Sequence, residues 1–361
     1  MVQSNKQFFT EYLNNPSPSG FESKGQSIWL KYISSFTDSH IVDSYGSVAA
    51  IINPGKEYKV VVAAHADEVS WLVNYIDDEG YIYVRQNGMA DFQIAPAKRV
   101  NIHTKNGIVK GFFGWPAIHV REEERPTPDN LFIDIGRHSR SEVADLGIYP
   151  GIPITFEDSL FELTDDYYVG RGLDNRVGGY ILAEVARKIN ESNLVIPYSL
   201  YFVNAVQEEV GMRGAGMMAH GIRPNVALIT DVCHDSCSPM YNQMKMGTRK
   251  VGRGPVLTSG PSVHNNVLNR VVETANEHQI NIQRTSFSHS SGTDTDAFAY
   301  SRMGIPSALI GLPVKYMHTT VEMVNKNDVE NLIDLIFFFL KDLKFGLDFG
   351  YSITLENTPQ S

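Results

Sequence analysis

Histidines and carboxylates follow short apolar segments that have the composition of buried strands. KVVVAA is followed by His65 and Asp67, and SLYFVNAV is followed by Glu208 and Glu209. In an open α/β sheet the carboxyl ends of parallel strands meet at one edge, and ligands bind there. We therefore predict that these four side chains lie in one site.

Three further candidates have comparable positions in the chain. Asp231 follows NVALIT, His318 follows SALIGL after a short loop, and Asp174 immediately precedes the helical pattern NRVGGYILAEVARKIN. One such residue alone is more often structural, since an aspartate in these positions commonly caps a helix. The repeated occurrence of ligand-type residues at the same structural position favours a common metal site.

The residue types match the ligands of zinc and related ions, which bind histidine nitrogens and carboxylate oxygens. Two ions about 3.5–4 Å apart require a carboxylate that contacts both. Asp174 is the candidate for this shared ligand. His65 and Asp231 would complete one ion, and Glu209 and His318 would complete the other. These ligand types do not discriminate between Zn²⁺ and Co²⁺.

Two carboxylates are candidates for roles beside the metal ligands. Asp67 is placed to orient the imidazole of His65. Glu208 is adjacent to Glu209, so one glutamate would bind metal while Glu208 would move a proton. The alternative interpretation is a solvated loop pair at Glu208 and Glu209.

The elements around these residues predict an α/β fold with an insertion. Strand and helix patterns alternate after residue 165, which predicts a mostly parallel sheet sandwiched by helices. The segment 69–164 instead has successive strand patterns, including a hairpin signal at Asn106-Gly107. We predict a catalytic α/β domain formed by residues 1–68 and 165–361, with a β-rich domain inserted at 69–164.

Helices are predicted near both ends of the chain. Ser19 and Glu22 have the spacing of a capping box, which predicts the start of an amphipathic helix that ends near Ile33. Near the carboxyl terminus, the apolar positions of LIDLIFFFLKDL follow helical spacing. This segment is predicted to pack on the core.

Composition excludes several classes of protein. The 361 residues include 31 Lys plus Arg against 41 Asp plus Glu, a net charge of −10 without a basic block, which argues against a nucleic-acid partner. Two cysteines fit a reducing compartment. The sequence has no run of 18 apolar residues and no signal-peptide pattern. We expect no membrane association and a cytoplasmic location.

Several motifs together carry a family resemblance. PSPSGFE, HADEV, VGRGLDNR, VQEEVGMRGA, SSGTDTDAFA and YMHTTVE occur in this order along the chain. They resemble the glutamyl aminopeptidase family of dinuclear metallopeptidases, which includes the tetrahedral (TET) aminopeptidases and some proteins once called endoglucanases. VQEEVGMRGA is the most specific of these motifs, and the resemblance extends over essentially the whole chain.

The resemblance implies a zinc-peptidase-like domain with an inserted β-rich dimerisation domain. It also implies a homo-oligomer built from dimers, such as a dodecamer, that acts on short peptides. The family's two divalent metal ions, zinc or cobalt, would bind at His65, Asp174, Glu209, Asp231 and His318. The resemblance places the catalytic base at Glu208 and the orienting carboxylate at Asp67, and it implies a cis peptide bond after Asp174.

The sequence departs from the family pattern at a few positions. Asn175 replaces the usual second aspartate of the bridging motif, and Ser70 replaces a usual glycine. Cys233, His234 and Cys237 form an unusual group, for which an extra metal site or a thiol switch is the less favoured interpretation, because buried free cysteines are common.

The function predicted from these observations is metal-dependent removal of the N-terminal residue of peptides. A deacylase or carboxypeptidase of the same clan would share the metal ligands. A glycosidase would need two carboxyl groups about 5–9.5 Å apart across a sugar bond. A non-catalytic scaffold would be favoured by loss of a ligand or of Glu208, and all are present.

Overall fold

The computed structural model describes residues 3–120 and 125–352. The charged, proline-containing segment VREEERPTPDN (120–130), which the sequence predicts to be a loop, therefore lies partly outside the described residues. In the described part, the helices are α1 (Asn5–Asn14), α2 (Ser23–Ile33), α3 (Arg140–Asp145), α4 (Leu173–Glu191), α5 (Arg213–Ile222), α6 (Gln243–Met246), α7 (Asn265–Glu277), α8 (Asp294–Ala299) and α9 (Lys326–Asp342).

The strands are β1 (Ser39–Val42), β2 (Val48–Ile52), β3 (Lys59–His65), β4 (Ser70–Ile76), β5 (Ile82–Asn87), β6 (Arg99–Thr104), β7 (Gly107–Phe113), β8 (Phe132–Asp134), β9 (Pro153–Phe156), β10 (Phe161–Leu163), β11 (Tyr167–Gly170), β12 (Ser199–Ala205), β13 (Val226–His234), β14 (Val256–Ser259), β15 (Gln283–Ser286), β16 (Ser307–Val314) and β17 (Glu322–Asn325). Strands alternate with helices from α4 to β16, whereas the described strands from β1 to β8 follow one another without an intervening helix.

The main sheet has eight strands in the order β1-β2-β12-β3-β13-β16-β14-β15. Its four central strands, β12, β3, β13 and β16, are parallel as predicted. The sheet is nevertheless mixed, because β2 pairs antiparallel with β1 and β12, and β14 pairs antiparallel with β16. The short turn between β1 and β2 permits only a hairpin, whereas parallel neighbours require a long crossover.

Two groups of helices cover this sheet. One contains α2, α4, α7 and α9, and the other contains α5 and α8. Every residue of β12 and β16 is buried, as expected for central strands that are covered on both faces. No helix among the described residues is both long and apolar enough to cross a membrane.

A closed barrel of six strands lies within the predicted insertion. Its strands follow the order β4-β5-β8-β7-β6-β9, and it encloses a separate apolar core that includes Trp71, Phe113 and Ile133. The hairpin predicted at Asn106-Gly107 is confirmed by the antiparallel pair β6 and β7. Strand β10 pairs with β11, which pairs with β17 in a separate three-stranded sheet. The domain division at 69 and 164 stays a prediction.

The predicted capping box of α2 is wrong. The helix begins at Ser23, and neither Ser19 nor Glu22 caps it through its side chain. The Ser19 hydroxyl instead donates to Asp67 Oδ2 at 2.6 Å. Glu22 Oε1 accepts the N–H groups of Gly20 and Gln207. The Ser19 hydroxyl is thus bound to Asp67, and the Glu22 carboxylate is bound to backbone N–H groups that include that of Gln207. Neither side chain is available to cap α2.

Helix α4 packs very closely on the sheet at Gly178. A Cβ atom added at this position would lie 2.4 Å from Asn175 Oδ1 and 2.8 Å from Ala64 Cβ. Only glycine therefore allows the helix to approach β3 in this way. This contact fixes the beginning of α4, which carries Asp174.

Arg176, also near the beginning of α4, is fully buried and anchors the end of α1. Its guanidinium donates to the carbonyl oxygens of Tyr12, Leu13 and Asn15. It also lies 3.6 Å from the carboxylate of Glu68, a residue next to the candidate site. Arg176 thus connects the amino-terminal helix to the segment that carries Asp67.

Replacing Arg176 by methionine should lower the free energy of unfolding by about 3–5 kcal/mol, because Glu68 and three carbonyl groups would lose a buried partner. The shift of the urea unfolding midpoint measures this loss. Lys6→Met is the control, since Lys6 on α1 forms an exposed ion pair with Glu162 and its replacement should cause little change. Similar midpoints for both variants would contradict the anchoring role.

Candidate active site

The central strands bring the candidate residues to one edge of the sheet. His65 is the last residue of β3, and Glu208 and Glu209 lie in the loop after β12. In the parallel pair of β13 and β3, Ile229 is opposite Ala63, so Asp231 and His65 each lie two residues beyond that position. The sequence predicted that Asp231 follows its strand, but this prediction is wrong. Asp231 lies within β13, which continues to His234.

Asp174 lies between the two histidines. Its Oδ1 atom is 3.3 Å from His65 Nε2, and its Oδ2 atom is 3.1 Å from His318 Nε2. One carboxylate therefore presents a different oxygen atom to each imidazole. The peptide bond between Asp174 and Asn175 is cis, as the family resemblance implied.

The remaining carboxylates divide between the two histidines. Asp231 Oδ1 is 3.7 Å and Glu208 Oε2 is 3.9 Å from His65 Nε2. Glu209 Oε2 is 3.5 Å from His318 Nε2. Two compact groups of potential ligands result, which share Asp174: His65, Asp174 and Asp231 form one, and Asp174, Glu209 and His318 form the other.

Asp67 is fully buried behind this cluster and holds its loops together. Its Oδ1 atom accepts the N–H of Glu208 at 3.0 Å, and its Oδ2 atom accepts the N–H of Glu209 at 3.2 Å. Oδ1 also lies 3.4 Å from His65 Nδ1, on the side of the ring opposite Asp174. Although burial favours the neutral acid, interactions with His65, Ser19 and the Glu208 N–H keep the pKa of Asp67 low.

Glu322 has a similar supporting position that the sequence analysis missed. Its two carboxylate oxygens accept the N–H of Asp174 at 3.0 Å and the N–H of His318 at 2.7 Å. His318 has a φ of 62°, a left-handed conformation that needs local support in a non-glycine residue. The motif YMHTTVE contains Glu322, but nothing in its spacing identifies the distant contact with Asp174.

Asp294 is a second residue that the sequence analysis missed. It is buried at the start of α8, and neither carboxylate oxygen has a hydrogen-bond partner among the described residues. Burial raises the pKa of Asp294 to about 7. Asp294 lies in the motif SSGTDTDAFA, and the match of this motif to the family was the only sequence signal that could have identified the residue.

The acidic groups of the cluster affect one another's protonation. Burial, together with the charges of Asp231, Asp294 and Asp174, raises the pKa of Glu208 to about 9 despite the opposing charge of His65. The pKa values of Glu209 and Asp231 are also raised, first by burial and then by Asp174.

Asp174 behaves differently from its acidic neighbours. Burial opposes its ionisation, but hydrogen bonds from His318 and His65 lower its pKa well below the usual range. Burial likewise opposes a charge on His65, yet its contacts with Asp174 and Asp67 raise the pKa of the imidazole.

This donor set fits divalent cations. Two imidazole nitrogens and several carboxylate oxygens converge, and Glu209 Oε1 is buried without a hydrogen-bond partner among the described residues. Zinc prefers such nitrogen and oxygen ligands. A third potential group, Glu277, His278 and Asp342, fits less well, because Glu277 is exposed and already pairs with Arg270.

The cluster opens into a cavity of about 410 Å³. Met89, Met212, Phe287 and Met317 contribute apolar wall, so the site has room for a substrate side chain beside the carboxylates. The cavity also reaches Cys233 and His234. Burial raises the pKa of Cys233 to about 12, and neither cysteine belongs to a potential metal group in the described part of the chain.

Comparison with known proteins agrees with this fold. Residues 46–335 match the family described as M42 glutamyl aminopeptidase. The lysyl aminopeptidase of Pyrococcus furiosus is 29% identical over 92% of this chain and 95% of its own. A TET aminopeptidase from the marine sediment archaeon Thaumarchaeota archaeon SCGC AB-539-E09 superimposes with a TM-score of 0.90 and 29% identity, over 94% of this chain and 97% of that one.

A further structure shows the assembly of a relative. The TET1 peptidase of Pyrococcus horikoshii is described as able to form a tetrahedron or a large octahedral shell. It has a TM-score of 0.82 and 29% identity, with 94% of this chain and all of that chain covered.

The chain belongs to the M42 glutamyl aminopeptidase family, and the resemblance found in the sequence motifs is confirmed. It is a peptide hydrolase with an aminopeptidase function.

Replacing Asp67 by asparagine should lower the free energy of unfolding by about 1–3 kcal/mol, because buried donors would be left without an acceptor. Urea unfolding of chelator-treated protein measures this effect without bound cations. Asp77→Asn is the matched control, since Asp77 accepts the N–H of Tyr81 in an exposed turn. Equal effects of the two changes would show that Asp67 does not support the site loops.

Proposed function

We propose that the protein is a metal-dependent aminopeptidase that binds two divalent ions, zinc or cobalt, and removes the N-terminal residue of short peptides. The observation that carries this proposal is the position of Asp174, whose two oxygen atoms face different histidines. His65 and Asp231 would complete one ion, and Glu209 and His318 the other. Asp174 would bind both.

The residues around the ions would divide the remaining tasks. When bound, the ions would polarise the substrate carbonyl group and lower the pKa of a water molecule. Glu208 would accept a proton from that water and pass it to the leaving amine. Asp67 would hold the His65 ring from its Nδ1 side and fix the backbone of Glu208.

The proton-accepting role of Glu208 depends on charge compensation. Burial and the acidic neighbours raise its pKa to about 9. Cations among these carboxylates would cancel part of the neighbouring negative charge and so lower this pKa. Glu208 would then be ionised near neutral pH and available as a base.

The barrel is proposed as the dimerisation domain, within residues 69–164, of a homo-oligomer that extends to a dodecamer. Several large apolar side chains within residues 69–164 are exposed, including Ile108 and Phe112 on β7 and Ile118 and Val120 after it. Ile108 and Phe112 lie on the same face of β7, and contiguous exposed apolar patches often mark interaction sites. The assembly described for the Pyrococcus horikoshii relative supports the same proposal.

The alternative functions are less consistent with the site. In a glycosidase two carboxyl groups act on the sugar, whereas Asp174, Asp231 and Glu209 here all face imidazole nitrogens. A deacylase or carboxypeptidase would use the same ligands. Substrates that differ only in a blocked or free N-terminus discriminate these activities from an aminopeptidase.

Metal content tests the assignment of ligands. The protein should bind two zinc or cobalt ions per chain after dialysis, measured by atomic emission. Asp174→Asn should weaken both sites, whereas Asp231→Asn should weaken one, because only Asp174 faces both histidines. Glu277→Gln, in the exposed third group, is the control and should keep both ions. Retention of two tightly bound ions by Asp174→Asn would contradict a bridging role.

Hydrolysis of aminoacyl nitroanilides tests the activity and the base. Chelator treatment should abolish cleavage, and Zn²⁺ or Co²⁺ should restore it. Glu208→Gln should lower kcat by about 10²–10⁴-fold without loss of metal, because the proton acceptor is removed. Near-normal turnover of this variant would refute the base assignment, and cleavage that persists after complete metal removal would refute metal dependence.

A further inference from the structure

Arg249 lines the cavity beside the candidate metal ligands. It is the one lysine or arginine among the described residues that form the cavity wall. The other ionisable groups of the wall are carboxylates, histidines and Cys233. A permanent positive charge therefore faces a cavity whose remaining formal charge is mainly negative.

The Arg249 side chain has unused hydrogen-bonding capacity. Its Nη1 atom donates to Thr285 Oγ1 at 3.3 Å, and its Nε atom is buried without a hydrogen-bond partner in the described part of the chain. None of the ion pairs among the described residues includes Arg249. A guanidinium has five N–H donors in a planar fork, so most of this fork remains available to a ligand.

The backbone holds Arg249 in a fixed position. Its N–H donates to Ser236 Oγ at 2.9 Å, and its carbonyl oxygen accepts the N–H of Ser236 at 2.9 Å. Ser236 is fully buried. The backbone from which the guanidinium extends is therefore fixed at the cavity wall, which reduces the entropy lost when a ligand is bound.

Strand β13 relates Arg249 to the metal cluster. Asp231 and Cys233 lie two residues apart on the same face of this strand, a separation of about 7 Å. Arg249 is near Cys233 and His234: burial lowers the pKa of His234, and the guanidinium charge lowers it further. Arg249 lines the same cavity as Asp231, Cys233 and His234, so a substrate side chain that extends into the cavity from the metal ligands can meet the guanidinium.

We infer that Arg249 binds the side-chain carboxylate of the substrate's N-terminal residue, so that the enzyme prefers peptides that begin with glutamate or aspartate. This inference rests on the proposed function. A carboxylate matches the planar fork in a bidentate contact. An N-terminal lysine would be repelled, and a leucine would leave the guanidinium desolvated and unpaired. The preference would thus differ from that of the lysyl aminopeptidase relative.

The sharpest test compares glutamyl and glutaminyl nitroanilides, which differ at the side-chain terminus and lack a C-terminal carboxylate. The metal-loaded wild-type enzyme should have a kcat/KM for the glutamyl compound at least about 30-fold higher, the range found for buried charge pairs. The Arg249→Met variant should cleave the glutamyl and glutaminyl compounds with similar kcat/KM and should still cleave leucyl nitroanilide. Lys250→Met is the matched control, since Lys250 is exposed and adjacent, and it should keep the ratio.

Several outcomes would overturn the inference while the proposed function stands. These are equal cleavage of the glutamyl and glutaminyl compounds, preferred cleavage of leucyl or lysyl compounds by the wild type, and an equal loss for all substrates in Arg249→Met. If Arg249→Met instead removes a preference for Ala-Ala over Ala-Ala-amide, the arginine binds the peptide C-terminus and the inference is wrong.

A binding measurement separates failure of this inference from failure of the proposed function. If no nitroanilide is cleaved, the aminopeptidase proposal fails, and calorimetry with L-glutamate and L-glutamine then tests the pocket alone. Tighter binding of L-glutamate that is lost in Arg249→Met and kept in Lys250→Met would support the carboxylate site. Equal binding of both amino acids by the wild type would overturn it.

Discussion

The burial of many carboxyl groups around one point is the constraint on which the rest of this structure depends. Asp67, Asp174, Glu208 and Asp231 are all buried close to His65. An ionised carboxylate taken out of water must be compensated by donors or cations, or it becomes protonated. Some of these carboxylates accept hydrogen bonds from the surrounding elements, whereas others have few or no such donors in the described part of the chain.

This uneven compensation indicates which groups support the site and which act in it. Asp67 and Glu322 each accept two backbone N–H groups, so they fix loops. Glu208 and Asp231 lack comparable support, and burial raises their pKa values. Carboxylates that the protein leaves uncompensated are those best able to bind cations or to transfer protons.

The scaffold outside the cluster follows from the need to hold these groups in place. Within four residues, His65 and Asp67 face the cluster, whereas Glu68 pairs with Arg171 and Arg176 on the other side. Glu68 is thus paired with two arginines, whereas Asp67 and the other buried carboxylates near His65 have no arginine partner among the described residues. The close approach of α4 at Gly178 keeps this arrangement rigid, because a packed interior resists small displacements.

The sequence by itself determined the central parallel strands, the successive strands within residues 69–164 and the convergence of His65, Glu209 and His318, because parallel strands deliver their carboxyl ends to one edge. Tertiary structure decided the antiparallel edges of the sheet and the extension of β13 beyond Asp231. It also decided the partners of Ser19 and Glu322, which lie 48 and 148 residues away from them along the chain. The spacing of residues along the chain indicates the periodicity of helices and strands and the hydrogen bonds between near neighbours. Contacts between residues far apart in the sequence form only after the chain has folded.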